Sequence, residues 1–206
     1  KIKIQNSNFK TGTPLAEALG LNDYVIDIEN KMFTHRPDCF GMLGIAREIA
    51  GIQNQVFKSP SWYKQKVEIS KPRGSGLRLT IKNQLPKLVP RFCAVVIRDV
   101  VVAQSPLWLQ TYLSRVGIRP INNIVDLTNF LMYETSQPLH AYDYDKLAGG
   151  SIETRLAKAG EELVVLGGKK IELSKEDIVI ASGGKAIGLG GVMGGVSTEV
   201  GESTKN

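Results

Sequence analysis

Cysteine, histidine and long apolar runs are all scarce in this 206-residue sequence, and each scarcity removes a class of protein. The two cysteines, Cys39 and Cys93, stand far apart with no CxxC pair and no histidine neighbour. That pattern excludes a disulfide framework and offers no zinc site, so no metal is expected and both are read as small buried hydrophobes. No run of about 18 apolar residues occurs, so no membrane-spanning helix is expected. The opening KIKIQNSNFK lacks the apolar core of a secretion signal, which makes the cytoplasm the expected location. No Gly-Lys-Ser/Thr phosphate loop is present, and a GxGxxG frame begun at Gly188 meets Met193 where the third glycine belongs. Gly74-Ser75-Gly76 is not a GxSxG nucleophile elbow. Any chemistry is therefore expected to position substrate and water rather than to build a covalent intermediate. The first residue is Lys1 and the last three are TKN, from which a piece of a longer protein is expected.

What is present is ordinary globular material, 42% hydrophobic and long enough to bury a core. The net charge of +6 is uneven. Residues 55–99 hold ten basic side chains against Glu68 and Asp99, so this stretch is strongly positive and the remainder slightly negative. Such a block is either an electrostatic footprint for a phosphate backbone or a solvated linker.

Local signals divide the chain. Thr13-Pro14 opens a short helix LAEAL that Gly20 can stop, and RPDCFGMLGIAREIAG carries helical apolar spacing with Gly51 as terminator. Residues 1–55 are thus expected to form a small, mostly helical module and 56–76 a basic linker rich in Pro and Gly. Strands are expected over LRLTI (77–81), FCAVVIRDVVV (92–102), SIETRL (151–156), ELVVL (162–166), KKIEL (169–173) and DIVIA (177–181). Between them lie a helix from Ser105-Pro106 to Gly117 and a second helix through NNIVDLTNFLMYE. Strands, two helices, then strands imply an α+β fold, with layered mixed or antiparallel sheets and a few helices behind the helical module.

The second helix is odd. Asn122, Asp126, Asn129 and Tyr133 share one face, where a merely solvated helix would carry Lys, Glu or Gln. Short amides and hydroxyls suit either a hydrogen-bonding wall or a half-buried face satisfied by loops. His140 follows the turn imposed by Gln137-Pro138, and His35 is the only other histidine. The glycines of GLGGVMGG imply close backbone approach or a tight turn.

Three stretches together resemble the beta subunit of bacterial phenylalanyl-tRNA synthetase: RPDCFGMLGIAREIAG (36–51), SPLWLQTYLSRVGIRPINNIVDLTNFLMYETSQPLHAYDYDKL (105–147) and IGLGGVMGG (187–195). They occur in that family's order and are followed by SxxVxxxTKN. The resemblance implies that residues 77–206 are most of an editing domain that hydrolyses tyrosine wrongly esterified to tRNA-Phe, within an enzyme that charges tRNA-Phe with phenylalanine. It implies that Arg119 and Asn129 bind and orient the substrate or its terminal ribose and that Thr128 helps position the ester or its water. His140 would hold that water or a ribose hydroxyl, Pro138 would help line the pocket, and Gly190 and Gly194 would leave room for the tyrosyl ring. It also implies an alpha-subunit partner in an assembly of two alpha and two beta chains. ATP and Mg2+ would be used by the whole synthetase, with no cofactor bound by this region and neither DNA nor membrane as partner. The alternative is a non-catalytic scaffold that docks tRNA and the alpha subunit. Three positions depart from the family's pattern: Gly190 replaces a usual alanine, His35 replaces a usual asparagine before RPD, and the glutamate that reads the tyrosine hydroxyl would follow Asn206.

Overall fold

A computed structural model describes residues 9–65 and 76–206. These residues pack as two units: residues 9–65 with Ala103–Leu139, and residues 76–102 with His140–Asn206. The first is helical, the second is built on strands, and the mixed α+β class read from the sequence is what is found. The expected division at 55 and 76 follows chain order, whereas the packing units interleave along the chain; part of the expected linker, 66–75, falls outside the described residues.

The helical unit contains α1 (Leu15–Ala18), α2 (Met42–Ile52), α3 (Ser61–Lys64), α4 (Leu107–Arg115) and α5 (Asn123–Thr135). Gly20 does stop α1, at φ +60°. Gly51, expected to terminate α2, instead lies inside it, and the chain leaves the helix through Gln53 and Asn54, the latter at φ +53°. Asparagine tolerates that left-handed conformation, so a glycine is not required there. Arg36 forks onto Asp38 through two 2.9 Å hydrogen bonds and reaches Glu48 at 3.1 Å, tying the turn before α2 to the helix itself. Helices α4 and α5 meet through Phe130, which takes Trp108 and Tyr112 edge-on at 5.5 and 5.1 Å.

The second unit holds a mixed five-stranded sheet of order β1-β2-β5-β6-β7 and a two-stranded sheet of β3 and β4. Its strands are β1 (Thr80–Asn83), β2 (Ser151–Leu156), β3 (Glu162–Val164), β4 (Lys170–Glu172), β5 (Ile178–Ser182), β6 (Lys185–Leu189) and β7 (Met193–Gly194). β1 runs parallel to β2 and every other pair is antiparallel. Side chains alternate between faces at a period of two. Val179 and Ala181 therefore join Leu163, Val165 and Leu173 in one core, while Ile180 joins Ile152 and Ile187 in another. The buried Arg155 and half-buried Glu161 form a bidentate pair at 2.6 and 2.8 Å, and Glu161 also accepts the amides of Lys158 and Ala186.

Two expectations fail in this unit. FCAVVIRDVVV (92–102) forms no strand: it is irregular, with Asp99 at φ +59°, and Val95, Ile97 and Val101 are exposed. Strand propensity reports fitness for a pleated, half-buried surface and supplies no partner strand. Cys93, read as buried, is exposed, whereas Cys39 is buried as expected.

Candidate functional site

The polar stripe of α5 resolves into separate tasks. Asn122 caps the helix, its side-chain oxygen accepting the amides of Ile124 and Val125 at 3.1 and 2.9 Å. Asn123 exchanges hydrogen bonds with the backbone of Ala103. Asp126 is fully buried and accepts the hydroxyl of Ser105 and the amide of Ile121, at 2.5 and 2.8 Å. Half of the stripe, Asn122 and Asp126, therefore satisfies the helix and the chain before it, as buried polar groups must be satisfied. Thr128 is half-buried and donates to the carbonyl of Val125 at 2.7 Å. Asn129 is half-buried, and its side chain makes no hydrogen bond among the described residues.

The other predicted residues of the helical unit are more open. Arg119 is exposed, and Pro138 is exposed at the edge of a hollow of about 280 Å³ that it shares with Phe40, Met132, Tyr133 and Ser136. Ser136 ends α5 in the left-handed conformation, at φ +63°, and its hydroxyl donates to the carbonyl of Pro37. Gly41 makes that approach possible, since a Cβ there would stand 2.3 Å from the amide nitrogen of Ser136.

His140, Gly190 and Gly194 belong to the sheet unit. The chain just after His140 is firmly held: the amide of Asp143 donates to Thr198, that of Tyr144 to Asn206, and the Asp143 carboxylate accepts the Thr204 hydroxyl at 2.7 Å. Burial alone would raise the Asp143 pKa, but hydrogen bonds from Thr204 and Lys146 outweigh it and hold the carboxyl below its usual range. This anchoring sets His140 against β7. A Cβ on Gly194 would stand 2.3 Å from both Cε1 and Nε2 of the imidazole, so only glycine admits the ring there. The imidazole keeps a solvent-exposed edge, yet the protein packed around it strips part of its hydration and lowers its pKa below the ordinary 6.5. It is therefore neutral at pH 7, and a neutral imidazole has one nitrogen free to accept a hydrogen bond.

The glycine run behind this site is a tight hairpin. The amide of Val192 donates to the carbonyl of Leu189 at 3.1 Å across a turn with Gly191 at φ +73°. Gly190 stands at the turn with 3.0 Å between a would-be Cβ and the carbonyl oxygen of Ile178. Gly195 is a packing position, because its Cβ would meet the Ile187 carbonyl oxygen at 2.7 Å. Sequence reasoning passed over Tyr142, whose ring lies against His140 at 4.6 Å between centroids and an interplanar angle of 73°. Its position two residues beyond His140 on a non-helical run was the available signal, since such residues can share a side.

The basic side chains of 55–99 that are described, Lys58, Lys64, Arg78, Lys82, Lys87, Arg91 and Arg98, are all exposed. Lys66, Lys71 and Arg73 lie outside the described residues. Among the described residues, no helix is long and apolar enough to cross a membrane.

Residues 88–206, more than half of the chain, match the family model described as the B3/4 domain, and the chain belongs to that family. Over nearly its whole length it is also similar to beta subunits of phenylalanine–tRNA ligase. It is 42% identical over 194 residues to that of Carboxydothermus hydrogenoformans, covering 94% of this chain and 23% of the relative. Against that of Moorella thermoacetica it is 42% identical over 195 residues, covering 95% of this chain and 24% of the relative. The beta subunit of Staphylococcus saprophyticus is 38% identical over 205 residues, covering all of this chain and 25% of the relative. The chain thus spans about a quarter of the length of the relatives it matches.

Proposed function

We propose that this chain is a region of a phenylalanine–tRNA ligase beta subunit and that its B3/4 domain hydrolyses tyrosine wrongly esterified to tRNA-Phe. The need is physical. A pocket shaped for phenylalanine cannot strongly reject a near-isostere that merely adds a hydroxyl, so a second site must remove the product. The observation that carries the reading is the imidazole of His140 seated on the bare backbone of Gly194.

In this reading water attacks the ester carbonyl, the carbon–oxygen bond to the terminal ribose breaks, and tyrosine leaves while the ribose hydroxyl regains a proton. His140 accepts a hydrogen bond from the water or holds a ribose hydroxyl, and alignment supplies much of the rate. Arg119 and Asn129 orient the substrate, and Thr128, whose hydroxyl proton is engaged with Val125, offers oxygen lone pairs to the ester or its water. Pro138 helps line the pocket, Gly194 leaves room for the His140 imidazole, and Gly190 lets the hairpin close beside Ile178. The name shared by the relatives supports tRNA-Phe and an alpha subunit as partners; an assembly of two alpha and two beta chains at work in the cytoplasm belongs to the same proposal. ATP and Mg2+ serve amino-acid activation by the whole ligase, and this region binds neither.

The test is release of tyrosine from Tyr-tRNA-Phe by the intact ligase and by this chain, each beside its His140→Ala and Arg119→Ala variants. The expected outcome is loss of hydrolysis with tRNA affinity retained. Steeply salt-dependent tRNA binding with no ester hydrolysis in either protein would instead make the region a docking scaffold, its exposed basic side chains supplying phosphate contacts.

A further inference from the structure

His140 makes no hydrogen bond and no ion pair among the described residues, so its orientation is a matter of packing. Two surfaces hold it. The backbone of Gly194 lies against Cε1 and Nε2, and the ring of Tyr142 meets the imidazole edge-to-face at 4.6 Å. Tyr142 is itself anchored, because it packs on the core of Ile152, Ile180 and Ile187, and its hydroxyl lies 3.5 Å from where a Cβ of Gly188 would be. A chain of contact thus runs from the sheet interior through one aromatic ring to the imidazole. Edge-to-face aromatic pairs favour a defined geometry beyond the area they bury.

We infer that Tyr142 is a positioning residue for His140: its ring, braced on the sheet core, fixes the imidazole plane against Gly194 and keeps water from one side of it. The facing side of the hairpin adds no competing group, since β6 and β7 present Gly188 and Gly194 there. Among the described residues, Tyr142 is the ring that packs on His140, and burial pushes its own pKa up to about 12, so it stays a neutral phenol across the working range. Burial is also the sole cause that lowers the His140 pKa; no charged side chain contributes. The consequence for hydrolysis rests on the function proposed above, but the positioning itself does not.

With only His35 and His140 in the sequence, imidazole titration followed by NMR is simple, and His140→Ala assigns the signals. The comparison uses this chain with Tyr142→Leu, which removes the ring, and Tyr142→Phe, which keeps it. Tyr142→Leu is expected to raise the His140 midpoint towards the ordinary 6.5 and to disperse its ring-current shift, while Tyr142→Phe leaves both in place. In the intact ligase, Tyr142→Leu is expected to lower kcat for tyrosine release by between about tenfold and a hundredfold, with KM little changed. An unaltered His140 titration in a folded Tyr142→Leu chain overturns the inference. Should that variant fail to fold, a displaced midpoint in Tyr142→Phe overturns it, because the ring is then not what matters, and an undisplaced one supports it. If His140→Ala leaves hydrolysis intact, the proposed function fails, and the titrations still decide the positioning claim.

Discussion

The two units are held together differently. Among the described residues, the sheet unit buries ten apolar side chains, including Val179 and Ala181 at 0% exposure, whereas the helical unit buries four: Leu19, Cys39, Leu109 and Leu113. The helical unit leaves large apolar groups in solvent, with Tyr24 at 93% and Val56 at 83% exposure. It relies instead on polar ties: Arg36 to Asp38 and Glu48, Ser105 and Ile121 to Asp126, and Tyr112 to Glu134 at 2.9 Å. Burial of a whole leucine or valine contributes about 1.5–3 kcal/mol, and a net hydrogen bond only about 0.5–1.5 kcal/mol. The lesson is that the sheet unit carries its own stability, and within it lies the imidazole on which the proposed chemistry depends.

The comparison can be broken hardest at Arg155. Replacing it by alanine takes the ion pair from the half-buried Glu161 and leaves it only the amides of Lys158 and Ala186, which should destabilise the sheet unit by about 1.5–3 kcal/mol in chemical denaturation. The same pair gives the unit an acid limit. Glu161 is held at about 2 against an ordinary 4.5, chiefly by its hydrogen bonds with Arg155, so the stabilisation is complete above 4.5 and disappears as pH falls towards 2. Glu161→Gln should remove that pH dependence from the melting of the sheet unit. Gly195→Ala comes next. Its Cβ would press on the Ile187 carbonyl oxygen at 2.7 Å and Leu163 Cδ1 at 2.9 Å, so backbone must move, at a cost of about 1–3 kcal/mol. In the helical unit, Asp126→Ala strands the Ser105 hydroxyl and the Ile121 amide and should also cost about 1–3 kcal/mol, read from loss of helical circular dichroism on heating. The smallest effect is expected at Ile26, 77% exposed, where serine should change stability by less than about 0.5 kcal/mol.

Much of this was legible in the sequence where a local chemical device dictates the structure. Pro106 before α4, Gly117 at φ +81° after it, and the short strand-like runs SIETRL and DIVIA fixed elements that are found at those places. What could not be read was partnership. FCAVVIRDVVV has the composition of a strand, but pairing depends on a neighbour that composition does not encode, and among the described residues it has no strand partner. The α5 stripe was legible as unusual, yet whether a short amide faces substrate or its own backbone depends on loops distant in sequence. Asn122 and Asp126 turned out to be a cap and a buried acceptor. His140 stood out as one of two histidines, whereas the Tyr142 ring beside it and the bare Gly194 backbone behind it appear only once β7 is folded against the His140 segment.

The most direct test of the central claim is tyrosine release from Tyr-tRNA-Phe by the intact ligase carrying Gly194→Ala. The added methyl would lie 2.3 Å from the far atoms of the His140 imidazole and meets no backbone so closely, so the ring should be displaced while the hairpin persists. The account predicts loss of hydrolysis with phenylalanine charging, tRNA affinity and sheet stability retained. Undiminished tyrosine release by a folded Gly194→Ala enzyme would contradict it.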